Sequence, residues 1–169
     1  MKRIGPILII GLMAMAASCT SNECYENHSA LPLAYFYNMA TGQQVSLQSV
    51  RIYGIGAPGD SVLYPTQNLQ EAYLPFRIWQ DTTQYVFEYM GMLPDSIPEG
   101  MIYEIPADTV SFIYEPKEWF VSPACGAMYF FDIKKVEHSS LLIDSVSYNE
   151  LITNENAVNI KIFFKETIY

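Results

Sequence analysis

The sequence predicts an all-β protein, an antiparallel β-sandwich of the immunoglobulin-like type. From about Leu31 onward, apolar and aromatic residues recur with a period near two, and Gly, Pro, Asn and Asp separate the segments. Helical patterns are weak, because ten prolines are scattered through the 169 residues and no long stretch shows apolar residues spaced by three and four. Several short strands separated by turn residues are typical of a sandwich or a barrel.

The clearest strand lies near the C-terminus. Ile160, Ile162 and Phe164 fall on one face, and Lys161 and Lys165 fall on the other. This is the alternation of an antiparallel strand with one face in water. The full set of predicted strands is Leu33–Met39, Val45–Tyr53, Ser61–Tyr64, Leu74–Trp79, Gln84–Met90, Met101–Ile105, Thr109–Glu115, Ala127–Val136, Leu141–Ser147 and Val158–Lys165.

Two local patterns compete with these strands. The segment Gly54–Gly59 matches the G-x-G-x-x-G pattern of a dinucleotide-binding loop, but such a loop needs a helix after it. A predicted strand, Ser61–Tyr64, follows instead, so we interpret the glycines as a hairpin or loop. The pattern also allows a short helical turn at Asn149–Asn154 or Gln67–Ala72.

Aspartate followed by serine or threonine recurs at the starts of strands. Because an Asp side chain can accept hydrogen bonds from backbone N–H groups about two residues ahead, we interpret these pairs as turns. The alternative is a cluster of catalytic or calcium-binding carboxylates, but no Asp-x-Asp-x-Asp-Gly loop is present. The pairs contain five of the six aspartates: Asp60-Ser61, Asp81-Thr82, Asp95-Ser96, Asp108-Thr109 and Asp144-Ser145.

The N-terminus has the three parts of a bacterial lipoprotein signal. Met1-Lys2-Arg3 is basic, Ile4–Ala17 is apolar, and small residues precede Cys19. A permanent transmembrane helix is the weaker interpretation, because a bilayer core needs about 20 apolar residues. We therefore predict that residues 1–18 are removed and that Cys19 is lipidated, which places the protein on a membrane.

Removal of the signal leaves a lipidated arm, residues 19–30, and a single β-sandwich domain, residues 31–169. A chain of this size can bury enough surface for one core. The loss of Lys2 and Arg3 changes the formal net charge from −9 to −11. Since nucleic-acid affinity comes mainly from Lys and Arg that neutralise phosphates, the charge argues against nucleic acid and against anionic headgroups.

Once Cys19 carries the lipid, two of the three cysteines remain, Cys24 and Cys125. In an oxidising compartment, two remaining thiols favour one disulfide. This bridge would close a loop of about 100 residues, worth about 4.7 kcal/mol in the chain-entropy model. Two independent buried thiols are the alternative, because the sequence does not show that the two Cα atoms are close enough to bond.

Aromatic residues are the main candidates for ligand contact. Trp79, Tyr85 and Trp119 could stack on sugar rings or on a partner protein, although aromatic pairs across strands also stabilise sheets. No cofactor or metal is predicted, since His28 and His138 lie far from any zinc-ligand spacing. A glycosidase would need two nearby carboxylates, for which the candidates are Glu88, Glu104, Glu115 and Glu118.

Three features together resemble a known family. They are the segment Trp119–Gly126 with its Ser-Pro-x-Cys-Gly element, Cys24 soon after the lipidated cysteine, and the closing strand Asn159–Phe164. The chain resembles a family of uncharacterised Bacteroidota lipoproteins over most of residues 19–165. The resemblance implies an envelope lipoprotein and supports the disulfide, and it implies no activity.

The expected function is that of a non-enzymatic envelope lipoprotein that binds another envelope protein or has a structural role. A glycan-binding module that uses exposed aromatics is the alternative, and a carboxylate-dependent hydrolase is the third hypothesis. We expect the outer membrane facing the periplasm, because Thr20, directly after the lipidated cysteine, gives no strong signal for retention in the inner membrane.

Overall fold

The computed structural model describes residues 30–58, 62–94, 103–123, 126–155 and 157–165. Among them no helix is long and apolar enough to cross a bilayer. The strands are β1 (Leu33–Asn38), β2 (Leu47–Gly54), β3 (Val62–Leu69), β4 (Glu71–Tyr73), β5 (Thr82–Tyr89), β6 (Ala107–Ser122), β7 (Gly126–His138), β8 (Ile143–Tyr148), β9 (Leu151–Ile152) and β10 (Val158–Phe164). A short 3-10 turn, Met90–Met92, follows β5.

The strands form two sheets that pack against each other. The small sheet has the order β4-β1-β10-β8, and the large sheet has the order β3-β2-β5-β6-β7-β9. All neighbouring pairs are antiparallel except β1 and β10, the first and last described strands, which run parallel. The prediction of an all-β sandwich is confirmed.

Aromatic rings from both sheets meet in the core. Phe36 of the small sheet lies edge-to-face with Phe87 of the large sheet, at a centroid distance of 6.1 Å. Phe164 contacts Phe36 at 5.7 Å and Tyr89 at 6.4 Å. Edge-to-face aromatic pairs are worth about 0.5–1.5 kcal/mol beyond their burial. These contacts fix the two sheets face to face.

A buried carboxylate, Asp108, joins the two sheets at one end. It accepts hydrogen bonds from the Tyr89 hydroxyl (2.8 Å), from Ser139 Oγ (2.5 Å) and from the backbone N–H groups of Leu141, Leu142 and Ile143 (2.7–3.0 Å). Burial alone raises the pKa of Asp108, but the Ser139 and backbone hydrogen bonds outweigh it, and the net pKa is below the ordinary value. The carboxylate holds the connection from β7 to β8 against the start of β6.

The turn interpretation of the Asp-Ser and Asp-Thr pairs is only partly right. At Asp81 the bond is local, because Thr82 Oγ1 donates to Asp81 Oδ1 at 3.1 Å. Asp108 instead bonds groups 31–35 residues ahead and has a long-range role. Asp144 lies inside β8, and the remaining two, Asp60 and Asp95, lie outside the described residues.

The predicted strand Leu74–Trp79 is wrong. Its first residues alternate in burial as a strand would, but the segment crosses from β4 in the small sheet to β5 in the large one. Its backbone therefore forms isolated hydrogen bonds and does not pair with a neighbouring strand. The Leu74 N–H donates to the Pro32 carbonyl, and the Arg77 N–H donates to the Tyr114 hydroxyl. The alternation of buried and exposed side chains shows that this segment lies against the core. It does not show that the segment pairs with another strand.

Other differences concern the ends of elements. The predicted strand Met101–Ile105 is absent in its described part, residues 103–105. The predicted helical turns are strands instead, since β9 lies within Asn149–Asn154 and β3 and β4 occupy most of Gln67–Ala72. In its described part after β2, residues 55–58, the Gly54–Gly59 segment is a loop, as expected, and Gly56 has a φ of +66° that glycine adopts readily.

Strand β6 extends well beyond its predicted end at Glu115. A proline removes one backbone donor and is tolerated in a strand only where no neighbour needs that donor. Strand β5 pairs with β6 only as far as Ile113, so Pro116 lies on a free edge and the strand continues through it to Ser122.

The extra length of β6 produces a projecting β6–β7 hairpin. Strand β9 pairs with β7 only at Phe131 and Asp132, so in the described structure residues 115–122 of β6 have only β7 as a strand neighbour. At about 3.4 Å per residue, the five steps from Phe131 to Gly126 continue the β6–β7 pair about 17 Å past its last β9 partner. We call this the hairpin end of the sandwich.

The N-terminal part of the chain enters at the hairpin end. Ala30, the first described residue, belongs to the core, and Pro32 accepts a hydrogen bond from Leu74. Two residues beyond Leu74, Phe76 packs on Phe131 with ring centroids 5.3 Å apart. Ala30 and the hairpin therefore lie at the same end of the molecule.

We predict that Asp108→Asn lowers the free energy of unfolding at neutral pH by about 1.5–3 kcal/mol, because an amide replaces the charged acceptor of several buried donors. Urea unfolding measures the change. Asp144→Asn is the matched control, since Asp144 is exposed on β8, and it should change stability little.

The effect should depend on pH in one direction. Because the folded pKa of Asp108 lies below that of the unfolded chain, about 3.9, its stabilisation is complete above that value and is lost as pH falls through the folded pKa. The curves for the native chain and Asp108→Asn should therefore converge in acid. A gap that stays constant down to the lowest pH would contradict this role.

Candidate functional site

A groove lies where the β6–β7 hairpin leaves the sandwich. It has a volume of about 780 Å³ and separates the β4–β5 connection from the inner face of the hairpin. We call it the hairpin groove. Its lining residues are Ile78, Trp79, Gln80, Asp81, Thr82, Pro116, Glu118 and Tyr129.

The wall that carries Trp79 is fixed by the Tyr114 hydroxyl. This hydroxyl accepts a hydrogen bond from the Arg77 N–H (2.8 Å), donates to the Arg77 carbonyl (2.9 Å), and lies 2.6 Å from Thr83 Oγ1. The Arg77 side chain in turn bonds Gln80 Oε1 at 2.9 Å. The connection is thus held at both its backbone and its side chains.

Aromatic packing beneath the groove supports the same wall. The Phe76 ring stacks on Tyr114 at a centroid distance of 4.5 Å and meets Phe112 at 5.0 Å. Because Phe76 lies in the connection while Tyr114 and Phe112 lie on β6, the stack joins the two sides of the groove at its base. The groove is therefore pre-formed in the fold.

The groove combines an aromatic side chain with polar ones. Trp79 is 84% exposed, the largest exposed fraction among the large apolar side chains described. Asp81 and Glu118 supply carboxylate acceptors, and Gln80 supplies an amide. An exposed ring beside a few polar groups is the arrangement of sites that bind by stacking and hydrogen bonding.

The aromatic residues predicted from sequence fall into two groups. Trp79 lines the hairpin groove, and Trp119, 61% exposed, lies on the outer face of the hairpin, stacked on Phe130 at 6.5 Å. Tyr85 is buried in the core, where its hydroxyl donates to the Pro75 carbonyl and burial raises its pKa. The expectation that Tyr85 is an exposed aromatic available to a ligand is therefore wrong.

The candidate carboxylates are dispersed. Glu88 is buried and forms an ion pair with Arg51 directly opposite on β2, while Glu115 lies 3.6 Å from Lys134 on the hairpin. Glu118 lines the hairpin groove and Glu104 is exposed elsewhere. The acid that shares the groove with Glu118 is Asp81, which was interpreted from sequence as a turn residue.

A second, smaller groove of about 540 Å³ lies on the outer face of the large sheet. The Arg51–Glu88 pair forms one side of it, and Tyr53, whose pKa is raised by burial and by Glu88, lies beside the pair. Because the carboxylate and the guanidinium already bind each other, we interpret the pair as a structural ion pair and do not assign a ligand to this groove.

The covalent sites predicted from sequence, Cys19, Cys24 and Cys125, lie outside the described residues, as does His28. The other histidine, His138, is at the end of β7 with its Nδ1 2.7 Å from the Ser139 carbonyl. In the described part of the chain, no three His, Cys, Asp or Glu side chains converge as metal ligands would.

Sequence reasoning missed most of the groove. Ile78 and Gln80 carry no motif, and Pro116 reads as a strand end, although here it marks a free edge. The aromatic run Tyr129–Phe131 is visible in the sequence, but its pairing with the segment around Pro116 appears only in the fold.

Comparison with protein families gives one match. The model of the family of unknown function DUF6452 matches residues 49–164, from within β2 to the end of β10, which is more than half of the chain. The chain belongs to this family. The DUF6452 match contains all the groove residues and the whole hairpin. Comparisons with curated proteins and with solved structures found no match.

We predict that Tyr114→Phe destabilises the protein by about 1–3 kcal/mol, because it leaves the Arg77 backbone groups without their partner hydroxyl. Proteolysis should also become faster at the connection that carries Trp79, since its backbone is held by that hydroxyl. Urea unfolding and mapping of the first cleavage site measure the two effects.

Tyr148→Phe is the control for this variant, because no described residue hydrogen-bonds to the Tyr148 hydroxyl and the ring packs on the core in the same way before and after the change. Equal stability losses in the two variants would show that the Tyr114 hydroxyl does not hold the groove wall.

Proposed function

We propose that this protein is a lipid-anchored lipoprotein of the bacterial cell envelope that binds another envelope protein through the hairpin groove. In this proposal Cys19 carries the lipid, residues 1–18 are a removed signal, and the domain has no catalytic role. The observation that carries the binding role is Trp79, a tryptophan 84% exposed on a wall that is held rigidly.

The support beneath Trp79 favours a binding role for its exposed ring. When the segment that carries a binding side chain is already ordered, less conformational entropy is lost on binding. An exposed side chain with no binding role has no such benefit from an ordered segment. Tryptophan is also among the residues that most often dominate binding energy at protein interfaces. The groove offers it together with the polar rim formed by Gln80, Asp81 and Glu118.

The anchoring proposal is supported by the signal-like N-terminus and by the cysteine count. The Ser-Pro-x-Cys-Gly element and the resemblance to Bacteroidota lipoproteins support the same compartment, the outer membrane facing the periplasm. The proposed Cys24–Cys125 bridge is supported by the position of Ala30 at the hairpin end, because Pro123 lies in the turn of that hairpin.

The binding role is tested by crosslinking in intact envelopes followed by purification of the protein. We expect a reproducible partner to be captured by the native chain and lost with Trp79→Ala, since the substitution removes the exposed anchor. Truncation of a central aromatic anchor typically costs about 2 kcal/mol or more, a loss of roughly 30-fold in affinity.

The matched control is Met39→Ala. Met39 is also an exposed apolar side chain, but it follows β1 at the opposite end of the sandwich. Capture unchanged in Trp79→Ala, or lost equally in both variants, would exclude the hairpin groove as the binding site.

The second candidate function is glycan binding at the same groove. The observation in its favour is that Trp79 lies beside Asp81, Glu118 and Gln80, since sugars are bound by an aromatic ring together with carboxylate and amide groups that bond hydroxyls. A glycan array compares the native chain with Trp79→Ala. Binding that Trp79→Ala abolishes would favour this function over a protein partner.

The covalent framework makes a separate prediction. Mass spectrometry of the protein from membranes, without reduction, should show a lipid on the peptide that begins with Cys19 and a crosslinked pair of peptides containing Cys24 and Cys125. Reduction should release the pair and lower the melting temperature, because the bridge closes a loop of about 100 residues. Free thiols at both positions would refute the bridge and leave the lipid prediction unchanged.

A further inference from the structure

The outer face of the β6–β7 hairpin changes character along its length. Nearest the sandwich are charges: Lys117 and Lys134 both bind Asp132, at 2.5 and 2.7 Å. Toward the tip the same face carries Trp119 stacked on Phe130. The hairpin therefore has a charged root and an aromatic tip.

The aromatic tip is exposed on both faces. Trp119 is 61% exposed on the outer face, and Phe120, which follows it and points to the other face, is 66% exposed. In the described structure the strand pairing from Glu115 to Ser122 involves only β7, and Met128, the β7 residue paired with Trp119, is buried while Trp119 itself is exposed. Two large exposed rings thus lie near the end of β6.

The tether length brings this tip to the membrane. Eleven residue steps separate Cys19 from Ala30, and an extended chain spans about 3.3–3.6 Å per residue, or about 36–40 Å in total. The β6–β7 pair continues about 17 Å past its last β9 partner at the same end. A lipid on Cys19 can therefore lie in the bilayer while the hairpin touches its surface.

We propose that the tip of the β6–β7 hairpin, through Trp119 and Phe120, docks in the headgroup region of the membrane that holds the lipid anchor. This inference rests on the proposed lipid anchoring. Tryptophan favours the membrane–water interface, where its ring is desolvated and its N–H stays near polar groups. The charged root stays in water above it.

The lipid surface that fits is zwitterionic. Without residues 1–18 the chain has a formal net charge of −11, and both lysines of the hairpin root are already bound to Asp132. Attraction to anionic headgroups needs free Lys or Arg near the surface. Contact therefore depends on the rings, and it should be insensitive to salt.

The contact sets the orientation of the domain. With the tip in the headgroups, the hairpin end faces the bilayer and the end that contains Asp108 and Met39 points away. The hairpin groove then lies at the root of the hairpin, about one strand segment above the membrane, open to a partner that lies on or near the same surface.

The test uses full-length lipidated protein reconstituted in phosphatidylcholine vesicles that contain brominated phosphatidylcholine, which quenches tryptophan on contact. Trp79→Phe leaves Trp119 as the single reporter. The control reporter is Met39→Trp in a chain that also carries Trp79→Phe and Trp119→Phe, which places one tryptophan at the opposite end. Both native tryptophans are exposed, so phenylalanine at either position preserves the fold.

We expect bromolipid to quench Trp119 and to shift its emission to shorter wavelength, while the Met39→Trp reporter remains unquenched, in low and high salt alike. If Trp119 is no more quenched than the control reporter, the docking is overturned. Equal quenching of both reporters would also overturn it, because the domain would then lie without a preferred end.

Failure of the lipid anchor is recognised separately, by mass spectrometry of Cys19 and by flotation of the native chain with the vesicles. If Cys19 carries no lipid, the proposed anchoring fails. The same quenching measured with the unlipidated full chain at rising lipid concentration then still decides the docking: selective quenching of Trp119 supports it, and its absence overturns it.

Discussion

The buried Asp108 carboxylate is the interaction on which the two-sheet arrangement most depends. The two carboxylate oxygens accept hydrogen bonds from the Tyr89 hydroxyl on β5, from the Ser139 hydroxyl after β7 and from three consecutive backbone N–H groups at the start of β8. Because β8 belongs to the small sheet and β5 to the large one, one side chain fixes the place where the chain changes sheets. The aromatic core can then close with β10 and β1 in register with β8.

The sequence predicts the positions of strands far better than it predicts which strands pair with each other. Alternation located β1, β2, β5, β7 and β10 to within a few residues, since half-buried strands must alternate. It failed at Leu74–Trp79, where a buried crossing segment alternates without pairing, and at Pro116, where the proline lies on a free edge. Asp108 shows the same limit, because its donors are more than thirty residues away and no local pattern reveals them.

The candidate site depends on features that a sequence shows least well. Trp79 and Trp119 were identified as aromatics that could contact a ligand, but only the fold separates them from the buried Tyr85. It also assigns them to different surfaces, one in a supported groove and the other on a projecting tip. Both surfaces arise from a single cause, the continuation of β6 and β7 past the ends of β5 and β9.

The parallel pairing of β1 with β10 has a consequence for how the chain reaches its native state. Leu33 pairs with Val158, so the contact joins residues separated by nearly the whole domain. Such high contact order slows folding, because a long loop must close before the contact can form. While a chain is still being synthesised it lacks β10, so β1 and β8 remain unconnected in the small sheet until that strand emerges. A polypeptide with this topology therefore completes its small sheet late.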